Sequence, residues 1–238
     1  MFSITASVIN DEMRKICQDL AKERFMADFY LAGGTALAMQ IQHRKSVDLD
    51  FFTSNMNNFE PITMWLEKQP LKEIEIIFRK NDQLDINIKG VKTSFIFFPF
   101  AVLHKCIDGA KIEPGFSGLK IASAREIALM KAYALGRRTS FRDYIDLYYL
   151  LKKRITTLES IIKDCREKFI LEGESVFSGK LFLQQLSYTE DIHDKAVSLS
   201  FLFDKGLSEE TISAFLREKG SEYLKSISSN SSAGEGEK

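Results

Sequence analysis

Residues 29–52 read FYLAGGTALAMQIQHRKSVDLDFF, and the fold turns on how this stretch is parsed. Phe29-Tyr30-Leu31-Ala32 is a short apolar run of strand character. Gly33-Gly34-Thr35 follows as a turn. Thr35–His43 is rich in helix formers and holds no breaker. Val47–Thr53 is aromatic and branched, as strands are. The order is strand, glycine turn, helix, strand. Asp48 and Asp50 lie two apart on the second strand, so their side chains leave the same face.

That arrangement has a chemical meaning. Glycines let the backbone approach an anion, and the N–H groups at a helix start point towards it. Gly33, Gly34 and Thr35, with Ser46, are therefore candidate phosphate binders. Two carboxylates on one strand face repel each other unless a cation lies between them. Hard oxygens at that spacing suit Mg2+ (or Mn2+), which keeps waters and bridges to substrate phosphates. Each feature also has an ordinary alternative. A Gly-Gly turn is common, and an Asp-x-Asp pair on a strand is often a solvated face.

The flanking sequence extends the pattern. Residues 8–26 carry Ile9, Met13, Ile16 and Leu20 at helical spacing. Asn55–Asn58 reads as a loop, and Ile62–Leu71 as a short helix with the single tryptophan, Trp65. Glu73–Arg79, Gln83–Lys89 and Val91–Phe98 read as three strands. A tight turn at Gly90 joins the last two, and Pro99 ends the third. The resulting order, β-α-β-α-β-β-β, is that of a small mixed sheet with flanking helices.

From Ser123 the character is helical. Ser123-x-x-Glu126 has the form of a capping box, and the helix it starts runs to about Gly136. Further helices are expected over Phe141–Lys153, Leu158–Phe169, Val176–Leu186, Asp194–Lys205 and Ser208–Lys219. The tail Ser226–Lys238, low in apolar residues, is expected to be disordered. The fold class is thus α/β (α+β) with two domains. Residues 1–105 form the α/β core, 106–225 a helical domain completing a cleft, and 226–238 the tail.

The helical half holds a second constellation. Lys131 sits among Ile127, Ala128, Ala134 and Leu135 on one helix face, where an unpartnered ammonium is costly. Snorkelling is its ordinary alternative. Arg138, Arg142, Asp143 and Asp146 follow. Ser140-x-x-Asp143 could be a helix cap, and Arg142 with Asp146 a surface ion pair of little worth. Alternatively, Lys131, Arg138 and Arg142 lie on a triphosphate as cations.

The bulk properties restrict the class. The chain has 238 residues, 45% hydrophobic and 28% charged, with formal net charge zero. It can bury a real core, and it has no global charge for coating nucleic acid. Three cysteines and three histidines are scattered without C-x-x-C or H-E-x-x-H spacing, so neither a disulfide framework nor a zinc site is indicated. No signal peptide and no apolar stretch of membrane length is read. A cytoplasmic protein without a membrane segment is expected.

Taken together, Gly33-Gly34-Thr35 and Arg44-x-Ser46-x-Asp48-x-Asp50 resemble the signature of the nucleotidyltransferase superfamily. More narrowly, they resemble the AbiEii/AbiGii toxin-like group of abortive-infection and type IV toxin–antitoxin systems. Lys131, Ala134, Arg138, Arg142, Asp143, Asp146 and Leu147 also fit that group's Lys-x-x-Ala-x-x-x-Arg-x-x-x-Arg-Asp-x-x-Asp-Leu spacing. The resemblance covers roughly residues 25–155 and implies a Mg2+-dependent enzyme. Such an enzyme would move an NMP from an NTP to an acceptor hydroxyl, with RNA, tRNA in particular, as acceptor and an antitoxin as partner. It places Asp48, Asp50, Lys131 and Asp143 or Asp146 in the active site, Asp48 and Asp50 on the metal, and Gly33, Gly34, Thr35, Arg44, Ser46, Arg138 and Arg142 on the nucleotide. Lys131 is expected to face Asp48 and Asp50 across the cleft. One departure stands out. Many relatives in the superfamily carry a third carboxylate on a later strand, whereas Val91–Phe98 has Ser94 there, and Asp85 on the preceding strand is the nearest acid. A nucleotide- or protein-binding module without turnover, and a transferase acting on small aminoglycoside-type acceptors, are the rival expectations.

Overall fold

The computed structural model describes residues 7–55, 59–68 and 73–233. The chain divides into two compact units, residues 1–127 and 128–238. Residues 106–127, grouped above with the helical half, belong to the first unit. The reason is pairing: two short strands from this stretch complete the sheet.

The first unit is a seven-stranded mixed sheet with helices. Its elements are α1 (Asp11–Leu20), β1 (Tyr30–Leu31), α2 (Gly33–Ile41), β2 (Asp48–Thr53), α3 (Glu60–Leu66), β3 (Ile74–Arg79), β4 (Gln83–Ile88), β5 (Val91–Phe97), β6 (Ile107–Asp108) and β7 (Lys120–Ile121). The strand order is β3-β4-β5-β2-β1-β7-β6. β2 lies in the middle, parallel to β5 and antiparallel to β1.

β2 alternates cleanly. Leu49, Phe51 and Thr53 are buried, while Asp48, Asp50 and Phe52 are half-buried on the other face. Phe51 stacks on Phe95 at 5.4 Å between ring centroids, and Phe29 meets Phe95 edge-on. These rings anchor the register of the central strands from the core side, because a one-residue slip would expose them. The turn at Gly90 joins β4 and β5, with Lys89 and Gly90 both at positive φ (52° and 83°), as a two-residue hairpin turn demands.

Several expected boundaries move. Helix 8–26 ends at Leu20, and residues 24–28 form a 3-10 turn that buries Met26 and brings Phe25 against Trp65. Tertiary packing there overrides helix propensity. The strand read over Phe29–Ala32 shortens to Tyr30–Leu31, and the helix begins at Gly33 itself. The helix read over Ile62–Leu71 ends at Leu66, and residues 56–58 of the expected loop lie outside the described residues.

Of the capping box, only half forms. The Glu126 N–H donates to Ser123 Oγ. The Glu126 carboxylate instead accepts from the Leu103 and His104 N–H groups, fastening the 101–106 loop. Gln40 braces the same helix start differently: its Oε1 accepts from Ala124 N, and its Nε2 donates to Ala122 O.

The helical unit follows from α4 (Ala124–Ala134), which spans the division. It contains α5 (Phe141–Lys152), α6 (Leu158–Lys168), α7 (Gly179–Leu186), α8 (Lys195–Ser200) and α9 (Glu209–Ala233). α5 buries Phe141, Ile145, Leu147 and Tyr148, with Asp143 and Asp146 buried among them. A small hairpin, β8 (Ile170–Leu171) and β9 (Glu174–Ser175), turns through Glu172 and Gly173 at positive φ. α8 is shorter than expected, and α9 is longer. Residues 226–233, expected in a disordered tail, continue α9, which carries Tyr223, Leu224 and Ile227 at helical spacing. Residues 234–238 lie outside the described residues.

Candidate active site

In the first unit the site is built on the junction of α2 and β2. Gly33 opens α2 at φ +66°, a backbone that disfavours any side chain. It is also tightly approached: a Cβ added there would lie 2.7 Å from Asp50 Oδ2. The Asp50 carboxylate therefore rests against the first residue of α2. The unsatisfied N–H groups and the helix dipole favour negative charge there.

A Cβ on Gly34 would lie 1.9 Å from the Arg44 guanidinium. Arg44 is only 2% exposed and donates to Lys45 O at 3.1 Å. Thr35 is buried too. Its hydroxyl donates to the Asp48 carbonyl and shares a 2.6 Å hydrogen bond with Ser46 Oγ. Ser46 Oγ in turn lies 3.5 Å from Asp48 Oδ1.

The stretch thus sorts into two sets. Gly34, Thr35, Arg44 and Ser46 are buried and brace the junction. Gly33, Asp48 and Asp50 are half-exposed and can meet a ligand. The Thr35 and Ser46 hydroxyls, expected on phosphate, are spent on each other and on β2.

The strand register explains the departure at Ser94. Asp50 pairs with Ser94, and Ser94 with Asp85, so the three form one row across β2, β5 and β4. Asp85 is turned away from bulk solvent. It is buried, accepts from Gln83 Nε2 at 2.8 Å, and pairs with Lys92 at 3.0 Å. Burial pushes its carboxyl up, but hydrogen bonds from Gln83, Lys92 and Ser94 outweigh that and hold it below the usual carboxylate range. Among the described residues, no group of three His, Cys, Asp or Glu side chains could hold a metal. A metal here would rest on Asp48 and Asp50, with waters and substrate phosphates filling the remaining positions. The donor set fits Mg2+, which is commonly bound through one or two carboxylates.

In the helical unit Lys131 lies on α4 and is 4% exposed. Its ammonium donates to Asp143 Oδ1 at 2.6 Å and pairs with Asp146 Oδ2 at 2.7 Å, so it does not snorkel. Arg138 reaches Asp143 with Nε and a terminal nitrogen, both at 2.8 Å. Burial alone would push the Asp143 carboxyl up. The Lys131 and Arg138 charges beside it outweigh that and leave it below the ordinary range. Asp143 is therefore no helix cap, and Asp146 no surface partner. Arg142, beside them on α5, is half-buried.

The cap of α5 comes from elsewhere. Asp194 Oδ1 accepts from Phe141 N at 2.8 Å, and its Oδ2 accepts from the Ser140 and Ser198 hydroxyls. Asp194 fixes the first turn of the helix that carries Asp143 and Asp146. No local sequence signal marks it, because the cap is 53 residues away.

A mixed sheet with Asp-x-Asp on a central strand beside a glycine-led helix defines the nucleotidyltransferase class. The family model described as "Nucleotidyl transferase AbiEii toxin, Type IV TA system" matches residues 15–85 and 83–218. The chain belongs to that family and is a nucleotidyltransferase. The family implies a nucleotide substrate and a cognate antitoxin.

The chain is 27% identical over 216 residues to the uncharacterized protein aq_aa25 of Aquifex aeolicus (strain VF5), covering 91% of this chain and 98% of that one. Two solved structures share the fold. JHP933 from Helicobacter pylori matches with a TM-score of 0.55 and 20% identity, covering 93% of this chain and 92% of that one. MenT4, a nucleotidyltransferase toxin from Mycobacterium tuberculosis H37Rv, matches with a TM-score of 0.54 and 13% identity, covering 85% and 81%. No helix among the described residues is long and apolar enough to cross a membrane.

Proposed function

We propose that the enzyme transfers an NMP from an NTP to a hydroxyl of RNA, with tRNA the leading acceptor, and acts in this way as a toxin or phage-defence effector. The observation that carries the site assignment is the sorting on β2: Asp48 and Asp50 remain accessible on one face while their neighbours are consumed as braces. The acceptor oxygen attacks the α-phosphorus and forms the new P–O bond. The bond from the α-phosphorus to the bridging oxygen breaks, pyrophosphate leaves, and the hydroxyl proton is released to solvent.

Asp48 and Asp50 would hold Mg2+, which when bound supplies charge neutralisation on the phosphates. Gly33 and the start of α2 receive a phosphate through backbone N–H groups. Lys131 stabilises charge on the phosphate chain. Asp143 and Asp146 keep it charged and aimed. Arg138 and Arg142 add positive charge for the nucleotide.

The test is incubation of the purified protein with each of the four α-labelled NTPs, Mg2+ and cellular RNA, beside small hydroxylated acceptors. Label should enter RNA from a preferred NTP. Asp48→Ala and Asp50→Ala should each lose at least about 100-fold in rate. Label on small acceptors alone would overturn the RNA reading. Full transfer by Asp48→Ala would overturn the site.

A further inference from the structure

β3 forms one edge of the seven-stranded sheet, with β4 on one side and, among the described residues, no strand on the other. Its sequence is Ile74-Glu75-Ile76-Ile77-Phe78-Arg79, and the strand is exposed almost throughout. Ile76 is 50% exposed, Ile77 52% and Phe78 37%. A β-bulge falls at Ile77, where the register with β4 shifts between Ile76 and Phe78. Edge strands are ordinarily guarded by charge, proline, a bulge or cover, because their open N–H and C=O groups template pairing with another chain. Here the charges stand only at the ends of the strand, and three large apolar residues occupy its middle.

We propose that β3 pairs antiparallel with β3 of a second copy of this chain, joining two sheets across a twofold axis at Ile77. The sequence selects both the partner and the register. With the axis at Ile77, Glu75 faces Arg79 of the second copy and Arg79 faces its Glu75. Ile76 faces Phe78, Phe78 faces Ile76, and Ile77 faces itself. Every apolar residue from 76 to 78 then meets an apolar residue, and both charges meet their opposites.

Neighbouring registers fail this test. An axis at Phe78 sets Ile77 against Arg79 and Ile76 against Lys80. An axis between Ile76 and Ile77 sets Glu75 against Phe78. Directly opposed side chains are the unit of sheet stabilisation, and like charges or charge-on-apolar pairs are disfavoured. Neither Glu75 nor Arg79 has an ion-pair partner among the described residues, so both remain available to a second copy. The bulge adds local twist, which a strand pair at a two-sheet junction accommodates on both sides of the axis alike.

Sedimentation velocity of the full chain, from low micromolar to about 100 μM, tests this. The wild type is expected to show a concentration-dependent dimer. Glu75→Arg, which sets arginine against arginine twice per dimer, should weaken the dimer at least about tenfold. Arg79→Glu should do the same. The double variant Glu75→Arg/Arg79→Glu should restore it, because the swapped pair is again complementary. Ile77→Lys should leave a monomer with an unchanged melting temperature, since Ile77 already faces solvent. A wild type that stays monomeric across the range, or a dimer insensitive to these substitutions, would overturn the proposal. So would a charge swap that fails to restore the dimer although each single variant is folded. None of these residues lies in the transfer site, so the test stands or falls apart from the transferase reading.

Discussion

Gly33 carries two constraints at once: a left-handed backbone at φ +66° and the Asp50 carboxylate where a side chain would go. Gly33→Ala should therefore lower stability by about 1–2 kcal/mol. It should also displace Asp50, so transfer activity should fall further than stability explains. A thermal melt read beside an initial-rate assay separates the two effects. Lys131 presents the opposite case, a charge that is costly to bury but over-provided with partners. Lys131→Met removes the cation that the buried Asp143 and Asp146 carboxylates share, and should cost about 3–5 kcal/mol in urea unfolding.

Asp143 adds a pH dependence. Its folded pKa lies below the ordinary carboxylate value, so the stability it contributes is fully present above that value and is lost as pH falls through the folded one. Urea midpoints should hold steady near neutrality and drop below about pH 4. Asp143→Asn should flatten that acid limb. The wild type and the variant falling in parallel would contradict this assignment.

At the scale of elements, α5 depends on a cap it does not carry. Ser140 occupies the capping position by sequence, yet its hydroxyl is bonded to Asp194, which also takes the Phe141 N–H. Asp194→Ala should destabilise the chain by about 1–2 kcal/mol. Asp194→Asn, which keeps an acceptor, should cost less; the comparison is read from urea midpoints. β2 and the β4–β5 hairpin were legible in the sequence because alternation, branched residues and Gly90 agree there. The helix read over 8–26 and the capping box at Ser123 were only half right. Met26 is buried by tertiary packing and Glu126 answers to backbone N–H groups over 20 residues away, and local pattern cannot see these. The third carboxylate is likewise a matter of register: only strand pairing puts Asp85, Ser94 and Asp50 in one row and commits Asp85 to Lys92.

At the scale of the whole molecule, each of the two units holds one of the candidate clusters, Asp48 with Asp50 in the first and Lys131 with Asp143 and Asp146 in the second. If both serve one reaction, their losses should not add. Asp48→Ala and Lys131→Ala should each abolish most transfer, and the double variant should be little worse than the weaker single one. Multiplicative losses would mean the clusters act independently. Single-turnover kinetics on the three variants measures this.

By itself, the sequence marked the candidates for chemistry: Asp48 and Asp50 on one strand face, Lys131 on an apolar helix face, and Asp143 and Asp146 one turn apart on the next helix. Periodicity and motif spacing are local, and they survive in the linear chain. Tertiary structure alone decided what those residues' neighbours do. It turned Thr35, Ser46 and Arg44 into braces, made Lys131 a buried ion-paired cation, and brought Asp194 across 53 residues to cap α5. Partner choice in a folded chain is set by packing and by the need to satisfy every buried polar group, and residues distant in sequence meet that need as readily as near ones.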